Sequence, residues 1–191
     1  EITESLAGSA EPLEPRVAEE YQELTLAAQL RLADRLTLDV STTQTIHPVD
    51  RRTWAEHNEQ SFRYLIEPLS EKFSGAGVGG GMAGALMGPM APVILGIQAG
   101  TMIGFMSHRV LGQFDTGLPA LDHDSLFLVV PNVEAFATDN NIEAHQIRMW
   151  AVLREVTNHA ILNVDWVRSF FIKAVSDFYA TVEFDPSALM D

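Results

Sequence analysis

Apolar residues recur at three- and four-residue steps over much of the chain, which is the spacing of one face of an α-helix. This spacing predicts helices over Glu14–Arg35, Val49–Phe73, the apolar second half of Ser74–Ser107, Glu143–Leu162 and Asp165–Glu183. In the last helix the spacing places four residues inward: Trp166, Phe170, Ala174 and Phe178. Most of the chain is therefore expected to be helical.

Two stretches have the composition of strands. Leu36–Ile46 is rich in β-branched residues and predicts a strand or an extended connection. Leu126–Val130 (LFLVV) is a short apolar run closed by Pro131 and Asn132, which predicts a buried strand. The chain is accordingly expected to have an α+β, helix-dominated fold with a small sheet.

The start of the chain differs from the rest. Residues 1–13 are acidic and polar, without a helical apolar period, and are expected to be disordered or weakly ordered. Residues 14–191 are long enough to bury a core and are interpreted as a single domain, either complete or a fragment of a longer chain.

The segment Ser74–Ser107 has no charged residue. Within it Gly96, Gly100 and Gly104 repeat every four residues, which favours very close packing of one helix face. The length would nearly suit a membrane span, but Gln98 and Thr101 lie near its middle and no basic cluster flanks it. A buried helix is therefore favoured over a membrane-associated glycine zipper.

Charge and cysteine content narrow the possible partners. The chain has 12 basic and 26 acidic residues, a net charge of −14, which disfavours nucleic acid and anionic membrane surfaces. It has no cysteine, so a metal would have to be bound by His, Asp or Glu. No secretory segment is recognisable, and the default prediction is a cytoplasmic location.

The stretch with the pattern of a chemical site is Met149–Phe171 (MWAVLREVTNHAILNVDWVRSFF). Glu155 and His159 are four residues apart on the polar side of the predicted helix, within reach of one another. In the zinc motif HExxH two histidines four residues apart bind zinc and the glutamate acts as base. Here Arg154 and Asn158 occupy the two histidine positions. His159 is one residue late, about 100° around the helix, and cannot simply replace the second histidine.

The chain nevertheless resembles a family of zincin-like metallopeptidases and hydrolases of actinobacteria and chloroflexi, of the type associated with deazaflavin-coenzyme biosynthesis. The resemblance rests on VDRRTWAEHNEQSFRYLIEPL (49–69), GIQAGTMIGFMSHRVLGQFD (96–115), LFLVVPNV (126–133) and the central segment at 149–171. It implies a zincin-like fold with a small sheet and a zinc site on the helix that carries REVTNH in place of an HEVTH-like string.

The resemblance also implies roles for individual residues. Glu155 would be the general base for hydrolysis of a peptide or protein substrate. Neither histidine of the motif is kept, so no ligand is carried over from the family. By its own position four residues after Glu155, His159 is a candidate zinc ligand in an altered geometry, assisted by His145 or Glu183. The alternatives are a non-catalytic binding or scaffolding relative, a pseudoenzyme in which Arg154 pairs with Glu155, or a solvated helix face with no site.

The remaining histidines and the tryptophans are interpreted structurally. His47, His57 and His108 fit helix ends or charged faces, and Asp122-His123-Asp124 is expected to be a solvated loop cluster. The three tryptophans are predicted to be core residues: Trp54, Trp150 and Trp166.

Overall fold

The computed structural model describes residues 2–10, 12–40, 46–62, 91–117 and 126–181. In chain order its elements are α1 (Ile2–Ala7), α2 (Pro15–Ala33), β1 (Ile46–Val49), α3 (Arg51–Ser61), α4 (Ala91–Ser107), β2 (Leu126–Val129), α5 (Val130–Asp139), α6 (Ala144–Leu162) and α7 (Asp165–Thr181). A 3₁₀ turn, Gln113–Thr116, lies between α4 and β2. The prediction of a helix-dominated α+β chain with a small sheet is confirmed.

The two strands pair in parallel, with Ile46 opposite Leu126 and Val49 opposite Val129. All four residues of β2 are buried, as its uninterrupted apolar run predicted. Of the two alternatives predicted for Leu36–Ile46, the structure shows a connection and not a strand over residues 36–40. Residues 41–45 lie outside the described residues. Strand β1 begins at Ile46 and includes Pro48, whose missing N–H is tolerated in an edge strand.

Strand β2 separates two groups of buried apolar side chains. Leu126 and Leu128 face the α2–α6 cluster, whose other members include Tyr21, Val152 and Val156. The alternate residues, Phe127 and Val129, face the α3–α4 cluster, which includes Trp54, Ile103 and Val110. Because successive side chains of a strand point to opposite faces of the sheet, β2 contributes to both clusters, and helices lie on both sides of the sheet.

Helix α1 packs across α4 at two glycines. A Cβ atom at Gly100 would lie 2.8 Å from Thr3 Oγ1, and one at Gly104 would lie 2.7 Å from Leu6 Cβ. Thr3 and Ala7 are buried by this contact. The close packing expected of the glycine repeat is thus confirmed at two of its three positions. The structure also has a packed helix within residues 1–13, where a disordered or weakly ordered segment was predicted.

Helix α3 is shorter than the predicted Val49–Phe73. It ends at Ser61, and residues 63–73 lie outside the described residues. Trp54 is fully buried as predicted. Among the described helices, none has the length and apolar character to cross a membrane. The cytoplasmic location stays a prediction.

Helix α6 has the predicted extent. The Glu143 carboxylate caps its first turn by accepting hydrogen bonds from the backbone N–H groups of His145 and Gln146. Asn163 is the C-cap, as expected. Arg148 joins α6 to its neighbours by donating to Glu134 on α5 and Glu20 on α2, at 2.7 Å in each case. The helix that carries the candidate site is therefore fixed at both ends and along one side.

The inward face predicted for α7 is wrong. Trp166, Phe170 and Phe178 are 71%, 68% and 65% exposed, and Val175 packs against the α3–α4 cluster instead. Trp150 on α6 is also 46% exposed, although it was predicted to be a core residue. The aromatic spacing along α7 does not correspond to the helix face that this domain buries.

Candidate functional site

The carboxylate of Glu155 lies inside the protein, beneath the 3₁₀ turn. Its side chain has no solvent exposure. Its Oε2 atom accepts hydrogen bonds from the backbone N–H groups of Gln113 at 3.1 Å and Phe114 at 3.2 Å. The interpretation of this part of α6 as a solvated face is therefore wrong, because a turn some 40 residues earlier in the chain covers it.

Gly112 permits this close approach of turn and helix. A Cβ atom at this position would lie 2.5 Å from Glu155 Oε1 and 2.6 Å from its carboxyl carbon. These distances are far below van der Waals contact, and the atoms that would be displaced belong to a buried charged group. The glycine at 112 is thus required by lack of space, since its backbone is extended and not left-handed.

The Arg154 guanidinium lies between two carboxylates. Its Nη2 atom is 2.9 Å from Glu155 Oε1 and 2.5 Å from Asp115 Oδ1. The other oxygen of Asp115 accepts hydrogen bonds from the backbone N–H groups of Leu111 and Gly112. We call Asp115, Arg154 and Glu155 the ionic cluster. It confirms the expected Arg154–Glu155 pair and adds a second carboxylate to it.

Burial raises the pKa of Glu155 to about 7, because the interior solvates the carboxylate poorly. The hydrogen bond and the positive charge of Arg154 oppose this rise. For Arg154, burial disfavours the cation, but the hydrogen bonds to Asp115 and Glu155 outweigh burial and raise the pKa of the guanidinium. The ionic cluster therefore combines a permanent cation with a carboxyl group that titrates near neutral pH.

Buried carboxamides hold the turn over Glu155. The side chains of Asn58 and Gln113 pair reciprocally, and the Gln113 Nε2 to Asn58 Oδ1 distance is 2.7 Å. Asn132 donates to the backbone carbonyls of Ser107 at 2.7 Å and Val110 at 2.6 Å. The segments VLGQFD and VVPN were recognised in the sequence, but the positioning roles of these amides were not. Gln113 and Asn132 are polar residues inside apolar segments, whereas Asn58 lies among other polar residues and has no such signal.

Of the other candidate ligands, the structure describes His159 and His145. His159 is 3% exposed, and both of its ring nitrogens are 3.3 Å from Asn163 Nδ2. His145 lies ten residues before Glu155, about 15 Å along the helix, near Glu20. Glu183 and the Asp122-His123-Asp124 cluster lie outside the described residues.

A resident zinc ion does not fit the donors that the structure describes. Within those residues no three His, Asp or Glu side chains are arranged to hold a metal. At the position corresponding to the first histidine of the zinc motif, Arg154 directs a cation at the carboxylates. Zinc requires deprotonated or neutral donor groups, and a guanidinium is neither.

An apolar pocket of about 350 Å³ adjoins the C-terminal half of α6. Asn158 lies in its wall, at the position of the second histidine of the zinc motif. The other lining residues come from the 3₁₀ turn and its end, from the last turn of α6 and from α7: Phe114, Gly117, Ile161, Leu162, Val167 and Phe171.

Comparisons with known proteins bear on the fold and the family of this chain. A family model described as zincin-like metallopeptidase matches residues 2–191. A crystal structure described as "a putative hydrolase with a novel fold", from Chloroflexus aurantiacus, is similar with a TM-score of 0.68 and 28% sequence identity. The similarity covers 95% of this chain and 57% of that one, so the chain spans little more than half the length of this relative. No curated protein matches the chain.

Proposed function

The chain belongs to the zincin-like metallopeptidase family, and from this premise we propose that it is a non-catalytic member that binds peptide or protein segments without hydrolysing them. One observation carries the proposal. Arg154 Nη2 lies between Asp115 Oδ1 and Glu155 Oε1, where it supplies the positive charge that these carboxylates require. The guanidinium would thus replace a metal cation as the structural partner of the two acids.

The state of Glu155 supports this proposal. A general base must contact the water whose proton it removes, but Oε2 accepts two backbone hydrogen bonds and Oε1 accepts one from Arg154. The side chain has no exposed surface at which a water or a substrate could contact it. In this arrangement the carboxylate ties the turn to α6.

A metal-dependent hydrolase is the second candidate. It is favoured by the family and by the pKa of Glu155, which at about 7 suits a general base working near neutral pH. In this case His159 would contribute to a rearranged zinc site. Arg154 would have to leave the carboxylates, and further ligands would have to come from outside the described residues.

Zinc stoichiometry distinguishes the two candidates. We expect the purified chain, incubated with excess zinc and desalted, to retain far less than one zinc per chain by plasma mass spectrometry and to leave peptides intact. The double variant Arg154→His/Asn158→His restores both histidines of the motif and should retain more zinc than the wild type.

About one zinc per chain in the wild type, lost in His159→Ala but kept in His145→Ala, would contradict the proposal and support the hydrolase. His145→Ala is the matched control, because this histidine lies on the same helix but far from Glu155.

A further inference from the structure

We propose that the pocket beside Asn158 binds one large apolar side chain of a peptide, while the Asn158 carboxamide pairs with the backbone of that peptide. The inference rests on the proposed function for its premise that peptides are bound, and it names the residue class that the site selects. Four features of the pocket carry it: its size and lining, the state of Asn158, its lack of charge and the neighbouring aromatic surface.

Size and lining indicate an apolar occupant. The volume of about 350 Å³ is at the lower end of the range for ligand pockets, about 300–1,000 Å³, and exceeds what one side chain needs. Five of the seven lining residues are apolar and sizeable, and a sixth is Gly117, where a Cβ atom would meet open space. Such a lining favours an aromatic or branched aliphatic group over a polar one.

Asn158 is the polar group of the pocket wall. Its carboxamide makes no hydrogen bond to any residue that the structure describes. In contrast, the side-chain amides of the buried Asn58 and Asn132 donate to backbone carbonyl oxygens at 2.9 Å or less. A carboxamide offers both a donor and an acceptor, which is the same combination that a peptide group presents. Asn158 is therefore suited to pair with a peptide backbone.

Charge argues against an anionic occupant. No lining residue is charged, and the nearby cation, Arg154, already contacts Asp115 and Glu155. The chain as a whole carries a net charge of −14. A fatty acid or a phosphate would thus enter without a counter-charge and against a repulsive field. A neutral peptide segment meets neither obstacle.

The adjoining surface extends beyond a single side chain. Val167 and Phe171 of α7 line the pocket, and the residues directly before them, Trp166 and Phe170, are 71% and 68% exposed. Large exposed aromatic residues are typical of protein-interaction sites. Consecutive residues of a helix point about 100° apart, so Trp166 and Phe170 form an exposed face of α7 adjacent to the face that lines the pocket. A peptide longer than the one residue held in the pocket could extend over that face.

Titration of the ¹⁵N-labelled chain with acetyl-Gly-Phe-Gly-amide, followed by NMR, tests the inference. We expect saturable shifts at Phe114, Gly117 and Asn158, and binding at least tenfold weaker for acetyl-Gly-Asp-Gly-amide. Ile161→Trp fills the pocket and should weaken binding at least tenfold. Ile142→Trp is the matched control, because Ile142 is 38% exposed and Ile161 39%, and it should bind as the wild type does. Asn158→Ala removes one hydrogen-bonding group and should weaken binding about fivefold.

Three binding results would overturn the inference: equal affinity for the two peptides, no effect of Ile161→Trp on affinity, or tighter binding of octanoate than of the phenylalanine peptide. Chemical shifts of the pocket residues that change with protein concentration in the absence of peptide would also overturn it. Mass spectrometry of the titrated peptide separates this inference from the proposed function. Saturable binding with cleavage would refute the non-catalytic proposal and keep the pocket assignment. An intact peptide without binding would refute the pocket assignment alone.

Discussion

At the scale of single residues, Arg154 is the side chain on which the ionic cluster depends. Replacing it with methionine keeps much of the side-chain volume but leaves Glu155 and Asp115 facing each other without a cation. Breaking a fully buried pair costs about 3–5 kcal/mol. Because the Arg154 side chain is 26% exposed, solvent screening reduces this, and we expect about 2–3 kcal/mol lower stability in urea denaturation.

Arg52→Met is the control for that substitution. Arg52 also contacts two carboxylates, Glu4 and Glu56, but on the surface, and its loss should change the unfolding midpoint little. Equal effects of the two substitutions would show that the ionic cluster has no special role in stability.

Gly112 provides a second prediction at this scale. Gly112→Ala introduces a Cβ atom 2.5 Å from Glu155 Oε1, so either the turn or the carboxylate must move. We expect a loss of about 2 kcal/mol in the free energy of unfolding, within the range for overpacked sites. Gly96→Ala is the matched control: its Cβ meets open space in a helix, and alanine there should stabilise the protein by about 0.5–1 kcal/mol. A similar loss at both positions would contradict the predicted lack of space at Gly112.

Titration of Glu155 should make stability depend on pH. Its pKa is raised from 4.5 to about 7 in the folded chain, so the folded state binds this proton more tightly than the unfolded state does. The resulting stability is fully present below about pH 4.5 and is lost as pH rises through about 7. Between pH 5 and 8 the wild type should therefore lose stability relative to Glu155→Gln, which does not titrate. The opposite slope in matched urea titrations would mean that Arg154 lowers the pKa of Glu155.

At the scale of elements, α6 shows how far sequence reasoning reaches. Its predicted bounds, Glu143–Leu162, agree with the structure, in which the ends are fixed by local features, an acidic N-cap at Glu143 and a C-cap at Asn163. The burial of Glu155 was not predicted, because a helical pattern reports only the residues of the helix itself. The cover over Glu155 comes from Gly112, Gln113 and Phe114, and no periodicity links these to α6.

Helix α7 shows the converse error. Trp166, Phe170 and Phe178 share a helical face, and the hydrophobic effect alone would bury them. The structure instead uses Val167 and Phe171 for the pocket wall and Val175 for packing, and it leaves the aromatic face exposed. An apolar face predicts that something covers it, and sequence periodicity cannot specify whether the cover is the core or a ligand.

The contact between α1 and α4 predicts how a substitution at Gly104 affects α1. Gly104→Ala places a Cβ atom 2.7 Å from Leu6 Cβ and 3.1 Å from the carbonyl oxygen of Thr3. Because α1 has only six residues, it cannot remain helical without this support. We expect faster amide hydrogen exchange over residues 2–7, with α6 unchanged. Unchanged protection of α1 would show that the helix can shift to accept the methyl group.

At the scale of the whole molecule, the described part of the fold is held together by interactions within the chain. The core is organised around β2, with the α2–α6 cluster on one side and the α3–α4 cluster on the other. Beside this core, the single positive charge of Arg154 lies between the carboxylates of Asp115 and Glu155. Apolar packing on both sides of β2 and hydrogen bonds from the carboxamides of Asn58, Gln113 and Asn132 hold this frame together.

The proposed non-catalytic function predicts that metal removal leaves the stability unchanged. A ligand that binds the folded state stabilises it by RT ln(1 + [L]/Kd), which is about 2.7 kcal/mol when the ligand concentration is one hundred times Kd. Removing a bound structural zinc should therefore lower the melting temperature by several degrees. Under the proposed function we expect the wild type to melt within about 1 °C of the same temperature in EDTA and in excess zinc. The variant Arg154→His/Asn158→His should melt higher in zinc than in EDTA. A drop of several degrees for the wild type in EDTA would place a metal in the native fold and favour the hydrolase.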